Sequence, residues 1–219
     1  MTRTFSAVMS SIAFLTVLWI VQIVNVYMGG YLTNFGVHPR DPYGLIGIPL
    51  APFIHGSWEH LIANTSIAWA LVFLVALSGR AVLWRASTII VLVSGLGTWV
   101  VASPLTVHVG ASGLIFGWVT FLIFQGWYSR SILQMLLGVV VVFAYGGVLW
   151  GVFPTTMGVS WQMHLFGAIG GVIAARSVGQ DMRRNRQVMK RRQRMQRAPY
   201  QDAPLYGSAG PGNRPWGGR

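Results

Sequence analysis

Six runs of mostly apolar residues dominate the chain as far as residue 178, and short polar or glycine-containing segments separate them. The runs lie near residues 6–28, 58–78, 82–102, 110–127, 131–150 and 161–178. An α-helix needs roughly 20 apolar residues to cross a bilayer, and each run approaches that length. The pattern predicts an all-α integral membrane protein whose membrane domain, residues 1–178, contains six transmembrane helices.

Residues 179–219 form a polar tail of two parts. Arginine is dense from Arg183 to Arg197, and the sequence from Ala198 onward is rich in proline and glycine. The basic part is expected to be attracted to anionic lipid head groups, at about 1 kcal/mol per basic residue near the surface. The last part is predicted to be disordered. Nucleic acid is not an expected partner, because no nucleic-acid-binding fold accompanies the charge.

Composition supports the membrane class. The 219 residues are 53% hydrophobic and only 9% charged, too few charges to cover the surface of a water-soluble domain. The absence of cysteine excludes a disulfide framework and thiol catalysis. The first apolar run exceeds the 7 to 15 residues of a signal-peptide core, and no Ala-x-Ala-like cleavage site follows it. We therefore expect it to be a retained helix.

Basic residues predict the orientation, because short loops rich in lysine and arginine stay in the cytoplasm. With six spans, one side of the membrane collects the tail and Arg3, Arg80, Arg85 and Arg130. The other side has only Arg40. The expected location is the inner membrane of a bacterium, with both termini in the cytoplasm.

Two polar residues begin apolar runs and suggest chemistry. Ser112 opens the fourth run and His164 lies near the start of the sixth. Polar and ionisable groups at membrane depth are costly, so they indicate function. A serine hydroxyl becomes a nucleophile when a histidine within hydrogen-bond reach takes its proton. Since spans two, four and six run in the same direction, His60, Ser112 and His164 are expected at one level toward the outer face.

The carboxylates are badly placed to orient that histidine. The chain has four acidic residues: Asp41, Glu59, Asp181 and Asp202. Two of them fall on the cytoplasmic side, one lies in the first outer loop, and Glu59 points away from its neighbour His60 on the helix. The sequence therefore predicts a serine–histidine dyad rather than a triad.

Neighbouring residues complete the predicted site. Asn64 lies one helical turn after His60 and shares its face, and both side chains can donate hydrogen bonds to an oxyanion, together with the Ser112 backbone N–H. Phe116, one turn after Ser112, offers a ring on which His164 can stack. Small residues let membrane helices approach closely, and they recur along the fourth and sixth runs at Gly113, Gly117, Gly167, Ala168, Gly171 and Ala175.

Three motifs carry a family resemblance. They read His55-Gly-Ser-Trp-Glu-His60-Leu-Ile-Ala-Asn64, Gly110-Ala-Ser112-Gly113 and His164-x-x-Gly167-x-x-x-Gly171. The motifs follow one another in the order found in the rhomboid intramembrane serine proteases, and the chain resembles that family over about residues 8–178. The resemblance implies a six-transmembrane-helix rhomboid-like bundle with Ser112 as nucleophile, His164 as general base, and His60 and Asn64 as oxyanion-binding side chains. His55 matches a further, structural histidine.

The resemblance also implies supporting roles for Gly110, Gly113 and Phe116, transmembrane proteins as substrates, and neither metal nor organic cofactor. Two features depart from the family pattern. Many members carry a Trp-Arg pair in the first outer loop, which here reads Gly36-Val-His-Pro-Arg-Asp-Pro-Tyr-Gly-Leu45. Many have tyrosine where this chain has Phe116, so ring stacking is retained while a hydroxyl contact is lost.

Alternative interpretations remain open from the sequence. Ser112 alone can be a packing serine, and His60 with Asn64 can join helices by hydrogen bonds. A non-proteolytic rhomboid-like protein would bind transmembrane helices in the same cleft without needing the serine. A transporter or channel would place ionisable residues from face to face of the membrane, whereas here they gather at one end. His38 and His108 are predicted in solvated loops, where no carboxylate or cysteine cluster accompanies them to bind a metal.

Overall fold

The computed structural model describes residues 2–154 and 158–201. The described residues form seven α-helices: α1 (Arg3–Tyr27), α2 (Gly47–Leu50), α3 (Trp58–Leu77), α4 (Arg80–Val101), α5 (Ser112–Ser129), α6 (Ile132–Tyr145) and α7 (Trp161–Gln201). Four 3-10 helices accompany them: Tyr31–Phe35, Pro42–Ile46, Ala51–Phe53 and Gly146–Val152. Within these ranges there is no β-strand, and the all-α prediction is confirmed.

Four of the six predicted spans are long and apolar enough to cross a membrane: Arg3–Tyr27, Trp58–Leu77, Arg80–Val101 and Ile132–Val152. The six-span count is not confirmed, because α5 and α7 fall short by this measure. These are the helices that carry Ser112 and His164. Helix α5 is buried along nearly its whole length by its neighbours, so its polar and small residues face protein, and a strongly apolar sequence is not required there.

Helix α7 differs from the predicted run in length. Its helical backbone continues past residue 178 to Gln201. No glycine or proline interrupts residues 180–197, and arginine, glutamine and methionine are good helix formers. The segment predicted to be disordered begins at Ala198, and all of it after Gln201 lies outside the described residues. The chain divides into two compact units, Met1–Arg183 and Arg184–Arg219.

Helix α5 lies at the centre of the first unit. Trp118, Phe121 and Leu122 are fully buried there and pack with residues of α3, α4 and α7 in one core cluster. Gly167 of α7 packs directly on the backbone of Gly113. One turn further, Gly171 packs on the backbone of Gly117 in the same way. The predicted close approach of these helices through small residues is confirmed, and it sets the distance across which Ser112 faces α7.

The segment between α1 and α3 folds against the end of α4. The Trp99 indole N–H donates to the Asp41 carbonyl at 2.8 Å, and the Arg40 guanidinium donates to the Ala102 carbonyl at 2.8 Å. Val37 and His108 exchange backbone hydrogen bonds of 2.9 and 3.0 Å. These contacts anchor the loop in a chain that lacks the family's Trp-Arg pair.

Candidate active site

Ser112 is the first residue of α5, and the backbone before it is tightly held. The Gly110 N–H donates to the Ala51 carbonyl at 2.8 Å, and the Ala111 N–H reaches the His55 ring at 3.5 Å. The first N–H groups of a helix have no partner within the helix. The Ser112 N–H is one of these, so it is available to an anionic group beside the hydroxyl.

Gly110 allows this segment to lie against α3. Its φ of 116° is a conformation that favours glycine. A Cβ at this position would lie 2.5 Å from a His60 ring carbon and 3.4 Å from the Asn64 amide nitrogen. The absence of a side chain therefore brings the backbone before Ser112 onto the two predicted oxyanion-binding residues.

Asn64 has a free donor in the described structure. The side chain is 7% exposed, and its buried amide nitrogen has no hydrogen-bond partner among the described residues. Leaving a buried donor unpaired costs roughly 1–3 kcal/mol. Asn64 and His60 both line a cavity of about 880 Å³ that Ser112 and His164 also line. An oxygen atom bound in this cavity can satisfy the Asn64 amide.

His164 is held by two contacts. Its ring stacks on Phe116 with centroids 4.1 Å apart and planes 10° from parallel, so the predicted stacking is confirmed. Its Nδ1 lies 2.9 Å from the Gly151 carbonyl oxygen. A carbonyl oxygen only accepts hydrogen bonds, so Nδ1 carries the proton and Nε2 keeps its lone pair. The imidazole is thereby in the tautomer that a general base requires.

The His164 ring is held by the Gly151 backbone carbonyl, and the carboxylates of the described residues lie elsewhere. Asp181 instead pairs with Arg85 at 2.5 Å, and Asp41 accepts from the Tyr43 N–H at 2.9 Å. Neither of these nor Glu59 lines the cavity; Asp202 lies outside the described residues.

In the described part of the chain no hydrogen bond joins Ser112 to His164. Hydrogen bonds between catalytic groups often shorten only when substrate binds.

Gly151 itself was missed by the sequence analysis, since a backbone carbonyl leaves no signal in a residue pattern. A Cβ on Gly151 would lie 2.8 Å from the Phe116 ring and 3.3 Å from His164 Nδ1.

We predict that Gly151→Ala shifts the stacked pair and lowers kcat by about tenfold to a hundredfold, because misplacement of reacting groups by 1 Å costs on the order of 10² in rate. Steady-state cleavage kinetics measure this, with Gly147→Ala as the control, since a Cβ there meets no atom within 4 Å. Equal kcat for both variants would contradict it.

The sequence predicted His108 in a solvated loop, and the structure shows that this prediction is wrong. It is 7% exposed; its Nδ1 lies 2.6 Å from the Ser160 hydroxyl and its Nε2 lies 2.8 Å from the Thr106 hydroxyl. The backbone pairing with Val37 draws the residue inward, and burial lowers its pKa. His38 is half-buried, with Nε2 2.9 Å from the Asn34 carbonyl. Among the described residues, no three histidine or acidic side chains cluster as metal ligands do.

His55 and Gly113 lie behind the cavity rather than on its wall. His55 is fully buried, its ring packs edge-on against His60 with centroids 5.1 Å apart, and its carbonyl accepts from the Asn25 amide at 3.1 Å. Gly113 lies in the contact between α5 and α7. Both residues support the position of Ser112 from the side away from the cavity.

Burial, and secondarily the charge of His60, lowers the pKa of His55 from 6.5 to about 4. The unfolded chain therefore binds this proton between pH 6.5 and 4 while the folded chain does not, so stability falls as pH drops through that window. We expect a shallower decline for His55→Gln than for the wild type. Thermal unfolding in detergent from pH 7 to 4 measures this, with His38→Gln as the control. Identical slopes for His55→Gln and the wild type would contradict the assignment.

Known proteins resemble this chain over most of its length. The sequence profile of the Rhomboid domain matches residues 42–180. The uncharacterized proteins Mb1372 of Mycobacterium bovis and Rv1337 of Mycobacterium tuberculosis are each 41% identical to the chain in an alignment of 173 residues that covers 75% of this chain and 72% of theirs. The uncharacterized protein ML1171 of Mycobacterium leprae is 39% identical in an alignment of 173 residues that covers 75% of this chain and 68% of that protein. No solved structure matches significantly.

The apolar helices and the match to the Rhomboid domain define a multi-pass membrane protein of an intramembrane-protease-like family. The chain belongs to the rhomboid family.

Proposed function

We propose that the protein is an intramembrane serine endopeptidase that cleaves peptide bonds in or near transmembrane segments with a Ser112–His164 dyad. One observation carries the proposal: Ser112, His164, His60 and Asn64 line a single cavity, in which the Asn64 amide has no partner among the described residues. A nucleophile, a base in the required tautomer and free oxyanion donors at one site are what acyl transfer needs.

The reaction has two halves. The Ser112 hydroxyl oxygen bonds to the carbonyl carbon while its proton passes to His164 Nε2. The oxyanion then accepts hydrogen bonds from the Ser112 N–H, His60 and Asn64. Collapse breaks the C–N bond, and His164 returns the proton to the leaving amine, which leaves an acyl-enzyme. A water molecule, deprotonated by His164, hydrolyses this ester and restores the Ser112 hydroxyl.

The substrate is proposed to be a membrane protein that enters from the lipid between α3 and the 3-10 helix Gly146–Val152. Ile67 of α3 and Val148 of that 3-10 helix both line the cavity. Trp150, 74% exposed, and Phe153 pack together beside this position with ring centroids 5.9 Å apart. A helical backbone keeps its carbonyls hydrogen-bonded, so the substrate must unwind locally before Ser112 can attack.

We further propose the orientation that the basic residues predict. Both termini lie in the cytoplasm, the active site opens toward the outer face of the inner membrane, and water for deacylation reaches it from that side. The arginine-rich part of α7, Arg183–Arg194, contacts anionic lipid.

The proposal is tested by cleavage of a single-span substrate in proteoliposomes, with wild-type protein beside Ser112→Ala. Ser66→Ala is the matched control, because that hydroxyl bonds only within α3, to the Ala63 carbonyl. We expect cleavage by the wild type and the control and none by Ser112→Ala. If no substrate from a helix-destabilised panel is cut while single-span proteins still bind, the protein is a non-proteolytic helix-binding member of the family.

Asn64→Ala removes the free donor while leaving the dyad in place. We expect kcat to fall by about 10² to 10³ with little change in KM, since such a donor acts mainly on the transition state. Steady-state kinetics in proteoliposomes measure the two constants. Ser66→Ala is the control and should retain kcat, because its hydroxyl bonds to the Ala63 carbonyl within α3 and the residue does not line the cavity. A change confined to KM would contradict an oxyanion role for Asn64.

A further inference from the structure

A second cavity, of about 580 Å³, lies between α1 and α4 and shares no lining residue with the active-site cavity. Its sides are one face of α1, from Ser10 to Val17, and one face of α4, from Arg80 to Leu92. Trp118 of α5, 1% exposed, lines it from within the bundle. Ile48 and Phe53, from the loop between α1 and α3, also line it. We call this cavity the α1–α4 groove.

The α1–α4 groove is lined mostly by apolar side chains, and its neutral polar residues are Ser10, Ser87 and Thr88. Arg80 is the only charged side chain that lines it. This side chain is exposed, and within the described residues it makes no hydrogen bond or ion pair. Arg85, little more than one turn further along α4, is instead neutralised by Asp181 and bonded to Ser177 at 2.8 Å. The groove therefore joins a long apolar surface to a single uncompensated positive charge.

This combination fits an amphiphile with an anionic head. From Arg80 to Leu92 the groove extends about 18 Å along α4. One leaflet contributes about 15 Å of the hydrocarbon core, so an acyl chain anchored at Arg80 matches the length of the groove.

The geometry points to a phospholipid site in the α1–α4 groove, with the lipid phosphate at Arg80 and one acyl chain lying between α1 and α4 as far as Ile48 and Phe53. The lipid comes from the leaflet at the Arg80 end of the bundle. It contacts the loop that holds Gly110 through Ala51, so it stabilises the structure behind the active site. The site is independent of the proposed proteolysis.

Native mass spectrometry of the full chain, released from nanodiscs containing phosphatidylglycerol, tests the site. We expect one retained phospholipid on the wild type and at least a tenfold lower bound fraction for Arg80→Gln and for Ala13→Trp, which fills the groove from an exposed position of α1. The matched controls are Arg130→Gln and Ile20→Trp. These change a basic residue and an exposed α1 residue that do not line the groove.

Retention by both groove variants at the wild-type level would overturn the proposal. Loss with Ala13→Trp but not with Arg80→Gln would overturn the assignment of the phosphate to Arg80. The wild type could instead be a dimer that, among the four variants, only Ala13→Trp dissociates. That result would identify a second copy of the chain as the occupant of the groove and overturn the lipid site. Thermal unfolding of each variant in detergent shows whether it is folded, so lipid loss is scored only on folded protein.

Discussion

His164→Gln is expected to lower kcat for peptide-bond cleavage by a factor of about 10⁴ or more, the loss typical when one member of a nucleophile–base pair is removed. Glutamine has no basic nitrogen to take the Ser112 proton. It can still donate to the Gly151 carbonyl, which His164 reaches at 2.9 Å, and so it conserves part of the local packing. Initial rates in proteoliposomes with a single-span substrate measure the effect.

His38→Gln is the control for this variant. His38 does not line the active-site cavity, so its replacement should leave kcat within about twofold of the wild type, as expected for a residue away from the reacting groups. A folded His164→Gln protein that retained a tenth or more of wild-type kcat would show that another group acts as the base.

Gly167→Ala is expected to damage both stability and activity. Its new Cβ would collide with the backbone carbonyl of Gly113, which belongs to the neighbouring helix α5 and cannot move away as a flexible side chain can. Overpacking of this kind costs about 1–3 kcal/mol. Because α5 carries Ser112 and α7 carries His164, separation of the two helices by 1 Å should also lower kcat on the order of 10².

Thermal unfolding in detergent and initial cleavage rates test this expectation together. Gly147→Ala is the matched control, because it adds the same methyl group where no atom lies within 4 Å. We expect a lower unfolding temperature and a lower kcat for Gly167→Ala alone. Wild-type stability for that variant would show that the contact between α5 and α7 is looser than the structure indicates.

Periodicity and residue type were sufficient to predict the convergence of the candidate site. The i, i+4 relations between His60 and Asn64 and between Ser112 and Phe116 follow from helix geometry alone. In the structure Phe116 stacks on His164. Both residues line one cavity together with His60, Asn64 and Ser112. The small-residue spacing likewise predicted the close approach of α5 and α7, which the structure achieves by packing Gly167 on Gly113 and Gly171 on Gly117.

Features that depend on backbone atoms or on tertiary neighbours were not predictable in the same way. The Gly151 carbonyl reaches His164 because a 3-10 helix, Gly146–Val152, follows α6. His108 is buried because its backbone pairs with Val37, far away in sequence. Hydropathy alone supports four spans rather than six, since a helix enclosed by protein, such as α5, can carry polar residues that a lipid-facing helix cannot.

Labelling with a serine-directed fluorophosphonate reports directly on whether Ser112 is an activated nucleophile, because it requires an activated serine and no knowledge of the natural substrate. We expect one covalent adduct on folded wild-type protein, mapped by peptide mass spectrometry to Ser112, with no adduct on Ser112→Ala and slow labelling of His164→Gln. Failure to label folded wild-type protein, or labelling of another serine, would contradict the assignment of Ser112 and His164 as a catalytic dyad.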